Sequence, residues 1–115
     1  VLLSELGRKA EALPELEAAI RLDRTLVEAH YDLGIVLEDL GEVRQAEAAY
    51  RAALELDPSH ADAHNNLGVL LAQRGDLVAA SKHFTEALRV DPDHRNATAN
   101  LARARGGRRR PITKP

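Results

Sequence analysis

Segments 27–60 and 61–94 align without a gap, one period of 34 residues apart. In each, an Ala-His pair (Ala29-His30, Ala63-His64) stands two residues before Leu-Gly (Leu33-Gly34, Leu67-Gly68). A second glycine follows seven residues later (Gly41, Gly75). An alanine (Ala46, Ala80), an aromatic (Tyr50, Phe84), Ala-Leu (Ala53-Leu54, Ala87-Leu88) and Asp-Pro (Asp57-Pro58, Asp91-Pro92) complete the unit. A period of this length constrains the fold more tightly than any residue propensity. It means one supersecondary unit used repeatedly, each copy burying its apolar side against its neighbour.

Within a period the spacing is helical. Ala29, Leu33, Ile35, Val36, Leu37 and Leu40 recur as on one face of a helix ending at Gly41. Val43, Ala46, Ala49, Tyr50, Ala53, Leu54 and Leu56 make a second helix. It stops at Asp57, because Pro58 disfavours helical geometry in the residue before it. The same reading predicts helices at about 61–74, 77–90 and 95–105. Thr25, Ser59 and Asp93, one period apart, are expected to cap the first helix of each unit, with Glu28, Asp62 and Asn96 three residues on. That structural role accounts for these polar residues without any catalytic one.

Counted backwards, the register places Ile20, Ala19, Ala12 and Gly7 against Leu54, Ala53, Ala46 and Gly41. Residues 1–6 then read as the end of a helix whose beginning is missing, and residues 1–26 as a partial unit. Pro14 falls inside the expected helix 9–22, which should be distorted or start late. Arg24 stands where the other units have proline. Val1, Leu2, Leu3 and Leu6 are expected to form an open apolar end, a possible route to self-association. At the other end Thr98 and Arg105 replace His64 and Leu71, as suits a capping helix 95–105. Gly106-Gly107 should stop it, leaving 106–115 as a disordered basic tail.

Composition narrows the function. Without cysteine there are no disulfides or thiolate metal sites. No apolar run approaches the length of a membrane span. The first residues show no signal-peptide pattern and no methionine, so the chain is expected to begin inside a longer parent or to be a processed fragment; the compartment stays open. Residues 1–102 carry 10 Lys/Arg and 18 Asp/Glu, a balance of −8, whereas 103–115 carry six Lys/Arg and no acid, which gives the net −2. Such a tail can meet nucleic acid or an acidic lipid surface. With no interleaved aromatic for base stacking and an acidic body, the tail reads instead as a solvated segment, and nucleic acid is not an expected partner.

The Leu-Gly pair, the small residue of the second helix, the aromatic four later, the alanine three after that and the closing Asp-Pro resemble the tetratricopeptide repeat over about residues 1–105. The resemblance implies an α-solenoid of antiparallel helix pairs in a right-handed superhelix, whose concave face is lined by the first helix of each pair. It implies a scaffold that binds a peptide or protein segment in that groove. Carried over position by position, the groove residues are Glu28, Tyr31, Asp32, Ile35, Glu38 and Asp39, then Asp62, Asn65, Asn66, Val69, Ala72 and Gln73, then Asn96, Ala99, Asn100 and Arg103. The first group is acidic and the second rich in amides. Asn66 and Asn100 are similar to the asparagine ladder in the repeat domain of glycosyltransferases that attach N-acetylglucosamine to proteins, although Asp32 interrupts it. The alternative reading is therefore a non-catalytic, substrate-binding segment of a larger enzyme. The Lys/Arg/Asn carboxylate clamp of chaperone-binding members does not fit, because acids and Ile35 occupy much of that surface.

His60 and His64 have the spacing of metal ligands, with Asp57 or Asp62 as a third donor. One histidine in the turn and one packed between helices explains them better, the more so because His30 matches His64. No Ser/His/acid set and no glycine-rich phosphate loop occurs, so no enzyme activity, metal or cofactor is expected.

Overall fold

A computed structural model describes residues 2–106, and the side chains of residues 7–106. Six helices run in chain order: α1 Leu2–Leu22, α2 Val27–Asp39, α3 Val43–Leu56, α4 Ala61–Gln73, α5 Leu77–Val90 and α6 Arg95–Gly106. No strand occurs among the described residues. The chain divides into two compact units, Val1–Asp57 and Pro58–Pro115, holding α1–α3 and α4–α6. The expected basic tail lies outside the described residues from 107 onward, and Gly106 is the last residue of α6.

Inside each unit one helix pair dominates: α2 with α3 in the first, α4 with α5 in the second. Both pairs turn on a glycine with positive φ, 83° at Gly41 and 91° at Gly75. The backbone N–H three positions beyond the helix reaches back five residues, from Glu42 to Leu37 (2.8 Å) and from Asp76 to Leu71 (2.9 Å). These bonds satisfy carbonyls that the helix end leaves open. The core follows from the small residues. Gly34 lies under the ring of Tyr50 and Gly68 under that of Phe84, and both rings are fully buried. Ala46, Ala53, Ala80 and Ala87 are fully buried as well, which lets the helix axes come close. In the first unit Tyr31 meets Tyr50 at 6.0 Å between ring centres, and the Tyr50 hydroxyl donates to Glu38 Oε1 (2.8 Å).

Two expectations need correction. Helix α1 runs continuously through Gly7 and Pro14 instead of ending at Gly7 and restarting. Gly7 does not take the left-handed φ of Gly41 and Gly75. Gly7 therefore stays in the helical run, and Pro14 lies at an exposed position. The caps also sit one residue later than expected. Leu26 and His60 are the N-caps of α2 and α4, and His94 takes that place at α6. Thr25 and Asp93 serve the preceding turn: their N–H groups donate to Asp23 Oδ1 (2.9 Å) and Asp91 Oδ1 (3.1 Å).

Candidate functional site

In the first unit the expected site residues lie along α2. Glu28 and Asp32 are exposed, and Tyr31, Ile35, Glu38 and Asp39 are half-buried. Glu28, Asp32, Ile35 and Asp39, and likewise Tyr31, Ile35 and Glu38, follow one another at three or four residues, so they share a helix face. The two distal acids have internal partners. Glu38 accepts the Tyr50 hydroxyl, and Asp39 Oδ2 accepts from Lys9 Nζ of α1 at 2.9 Å. Both groups of that ion pair remain partly exposed, so its value to stability is small. What α2 presents outward is chiefly the acidic proximal stretch Glu28–Asp32 with Tyr31 and Ile35 beside it.

In the second unit the expected residues lie on α4 and α6, and their setting is different. Asn65, Asn66, Val69 and Asn100 are at most 1% exposed. Asn100 Nδ2 donates to Asn65 Oδ1 (3.0 Å), and Asn65 Nδ2 donates to Asn66 Oδ1 (3.4 Å). The amides are thus engaged with one another across α4 and α6. Burial without such bonds would cost several kcal/mol by the usual order of magnitude, roughly 1–3 per group. Among the described residues no buried side-chain N or O lacks a partner. Gln73 is exposed, Asn96 and Arg103 are half-buried, and Asp62 Oδ1 accepts from His94 Nε2 at 2.7 Å.

The histidines obey the repeat. His30 and His64 each donate Nε2–H to the carbonyl six residues earlier, Arg24 O (3.0 Å) and Pro58 O (2.8 Å). His60 and His94 each accept through Nδ1 the backbone N–H three residues on, from Ala63 (3.0 Å) and Ala97 (3.1 Å). His60 is thereby committed to a cap and does not join His64 in a ligand set. Among the described residues no group of three or more His, Cys, Asp and Glu is placed to hold a metal ion. His83, which the sequence reading did not single out, faces His64, with Nδ1 to Nδ1 at 3.1 Å. The signal for it was an Ala49-to-His83 change between aligned repeats.

The Asp23 carboxyl is held below the usual 3.8 by hydrogen bonds from the Thr25 hydroxyl first and the Thr25 N–H second. No helix among the described residues is long and apolar enough to cross a membrane.

The family model described as tetratricopeptide repeat matches residues 2–43 and 31–81. No curated protein sequence matches the chain. Among solved structures, it is similar to YrrB, a TPR protein with an unusual peptide-binding site, at 33% identity and TM-score 0.75, covering 84% of this chain and 50% of that one. It is similar to MamA at 26% identity and TM-score 0.83, covering 90% and 61%. A mutant O-GlcNAc transferase of Thermobaculum terrenum matches at 25% identity and TM-score 0.74, over 90% of this chain but 22% of that one. The chain therefore spans half of YrrB and about three fifths of MamA. With six helices and no strand among the described residues, these likenesses put the fold in the all-α helical-repeat solenoid class.

Proposed function

Because the chain belongs to the tetratricopeptide-repeat family, its outward helix faces are the place to look for function, and we propose that it is a non-catalytic scaffold that binds a peptide or protein segment. The observation that carries this reading is the α2 face. Glu28 and Asp32 project from it at exposed positions, one turn apart, with Tyr31 and Ile35 offering apolar contact between them. Similarity to YrrB, whose structure is described by its peptide-binding site, supports the class of ligand. A segment with basic or polar side chains beside an aliphatic one suits this surface. The charges steer and orient it, and apolar contact supplies most of the affinity.

On this reading Glu28, Tyr31, Asp32 and Ile35 are the primary contacts, with Glu38 and Asp39 behind them. In the second unit, taken by itself, the corresponding proposed contacts are Asp62, Asn65, Asn66, Val69, Gln73, Asn100 and Arg103. Its buried amides must trade their mutual hydrogen bonds for bonds to a ligand backbone. The glycosyltransferase-type reading, a substrate-binding segment of a larger enzyme, rests on the likeness to the O-GlcNAc transferase and uses the same surface.

The test is fluorescence polarisation of the full chain against labelled ten-residue peptides that place Lys or Arg around a central Leu. Binders are expected to weaken about tenfold or more on Asp32→Lys or Glu28→Lys, and to weaken with added salt. Peptides that bind both variants as tightly as the parent chain would remove the α2 face from the site.

A further inference from the structure

Four of the five histidines are accounted for by the repeat, as loop ties (His30, His64) or helix caps (His60, His94). His83 is the fifth. Its slot in the first unit belongs to Ala49, a buried alanine, so the helix pair is satisfied there by a methyl group. In the second unit the same slot carries an imidazole from α5 directed at His64 of α4. The facing Nδ1 atoms are 3.1 Å apart and the ring centres 5.4 Å apart, so the rings meet edge to edge through those nitrogens instead of stacking.

We propose that His64 and His83 form a two-histidine binding site for a divalent transition-metal ion of the zinc, nickel or copper class, tying α4 to α5. Imidazole nitrogen is the donor type these ions share. The spacing also fits. A metal–nitrogen distance of about 2.0–2.1 Å puts neighbouring ligand nitrogens about 2.9 Å apart at a right angle and about 3.4 Å apart in a tetrahedron. The pair stands between these limits.

The protonation pattern is prepared on one side. His64 commits Nε2–H to the Pro58 carbonyl at 2.8 Å, which leaves the lone pair of the neutral ring on Nδ1, facing His83. A backbone carbonyl on the far nitrogen is what fixes the ring of a metal-ligating histidine. His83 now donates Nδ1–H across the gap; on metal binding that proton moves to its Nε2 through solvent, so the neutral pair releases no net proton. Each ring turns by roughly 40° for the two lone pairs to converge on an ion at such a bond length. His83 is half-buried, at the rim of the helix pair, where the ion has access. With no third His, Cys, Asp or Glu gathered there among the described residues, water or a donor atom from a bound partner fills the remaining positions. The site is thus an open, two-ligand one, and the fold does not depend on it. His30 with Ala49 supplies the internal control, the same loop tie without the second ring.

Isothermal titration of the chelator-treated full chain with zinc chloride and with nickel chloride at pH 7.5 tests this. One ion per chain is expected. His83→Ala, which installs the residue that the first unit carries at this slot, should keep the helical circular dichroism and weaken binding about tenfold or more, because the second ligand contributes through its preset proximity. His64→Gln should do the same, and His30→Gln should leave affinity unchanged. Imidazole nitrogen NMR should show zinc shifting Nδ1 of His64 and both ring nitrogens of His83, and no nitrogen of His30, His60 or His94. Absence of one-to-one binding at millimolar ion, or a His83→Ala variant that binds as tightly as the parent, overturns the proposal.

Discussion

Gly68 and Phe84 are in direct contact: a Cβ built on Gly68 would fall 2.5 Å from Phe84 Cε1 and 2.8 Å from Cδ1. The ring is fully buried and has no free end to yield. Gly34 and Tyr50 repeat the relationship in the first unit, again at 2.5 Å. The glycine of the Leu-Gly pair and the aromatic sixteen residues later are therefore one packing element.

Gly68→Ala should destabilise the chain even though alanine is the better helix former. The propensity gain is about 1 kcal/mol, whereas forcing a methyl into a packed core costs typically about 1–3 kcal/mol. Phe84→Ala should cost about 3–5 kcal/mol through the cavity it leaves. The combined Gly68→Ala/Phe84→Leu variant should recover part of the first loss, because the smaller side chain vacates the space the methyl needs. Urea unfolding followed by circular dichroism reads all three together with Phe84→Leu alone, which closes the cycle. Additive losses in the double variant would mean that the two residues do not share that space.

The helix pairs were legible in the sequence because each boundary is set locally: Gly41 and Gly75 by their need for positive φ, Asp57 and Asp91 by the proline that follows. The caps were misplaced by one residue because threonine, serine and aspartate are the usual cap formers, and nothing local says that a histidine ring will turn its Nδ1 back onto its own helix. Helix α1 was misread because repeat register alone does not make Gly7 a turn: a glycine also tolerates helical φ, and Gly7 lacks the positive φ of Gly41 and Gly75. At the site, the exposed acids of α2 could be placed from helical spacing alone. The fates of Asn65, Asn66 and Asn100 could not, since burial of an amide is decided by a partner 35 residues away.

His94 joins two roles. Its Nδ1 accepts the Ala97 N–H and its Nε2–H donates to Asp62, so the ring both caps α6 and ties it to α4. His94→Ala should lose about 1 kcal/mol from the cap alone. His94→Asn should restore most of that share, since asparagine is a good N-cap, but not the contact with Asp62. The hydrogen-exchange protection of the first turn of α6 separates the outcomes. Equal protection in the alanine variant would show that the ring does not cap.

Asn65→Leu/Asn100→Leu should cost less than the sum of the two single changes. Asn100→Leu alone strands Asn65 Oδ1 in a buried site, and an unsatisfied buried acceptor costs about 1–3 kcal/mol. The double change leaves apolar groups facing each other, and the donor it takes from Asn66 Oδ1 is one that Asn65→Leu removes by itself. A double-mutant cycle on denaturant unfolding should give a favourable coupling between positions 65 and 100 of about 0.5–3 kcal/mol. Zero coupling would contradict the observed amide contact.

Asp23 gives the pH test. Its carboxylate accepts from both the hydroxyl and the N–H of Thr25, and the hydroxyl is the larger cause of its lowered pKa. A carboxyl whose folded pKa is depressed adds stability above its unfolded value, near 3.8, and loses it as the pH falls through the lower folded value. Because Asp23 is fully exposed, the effect belongs in a site-specific titration and not in a global unfolding curve. Carboxyl-carbon NMR should find Asp23 titrating below 3.8 in the parent chain and moving up toward it in Thr25→Ala. Thr25→Ser, which keeps a hydroxyl, should hold the lowered value; an Asp23 titration indifferent to the loss of that hydroxyl would assign the shift to another cause.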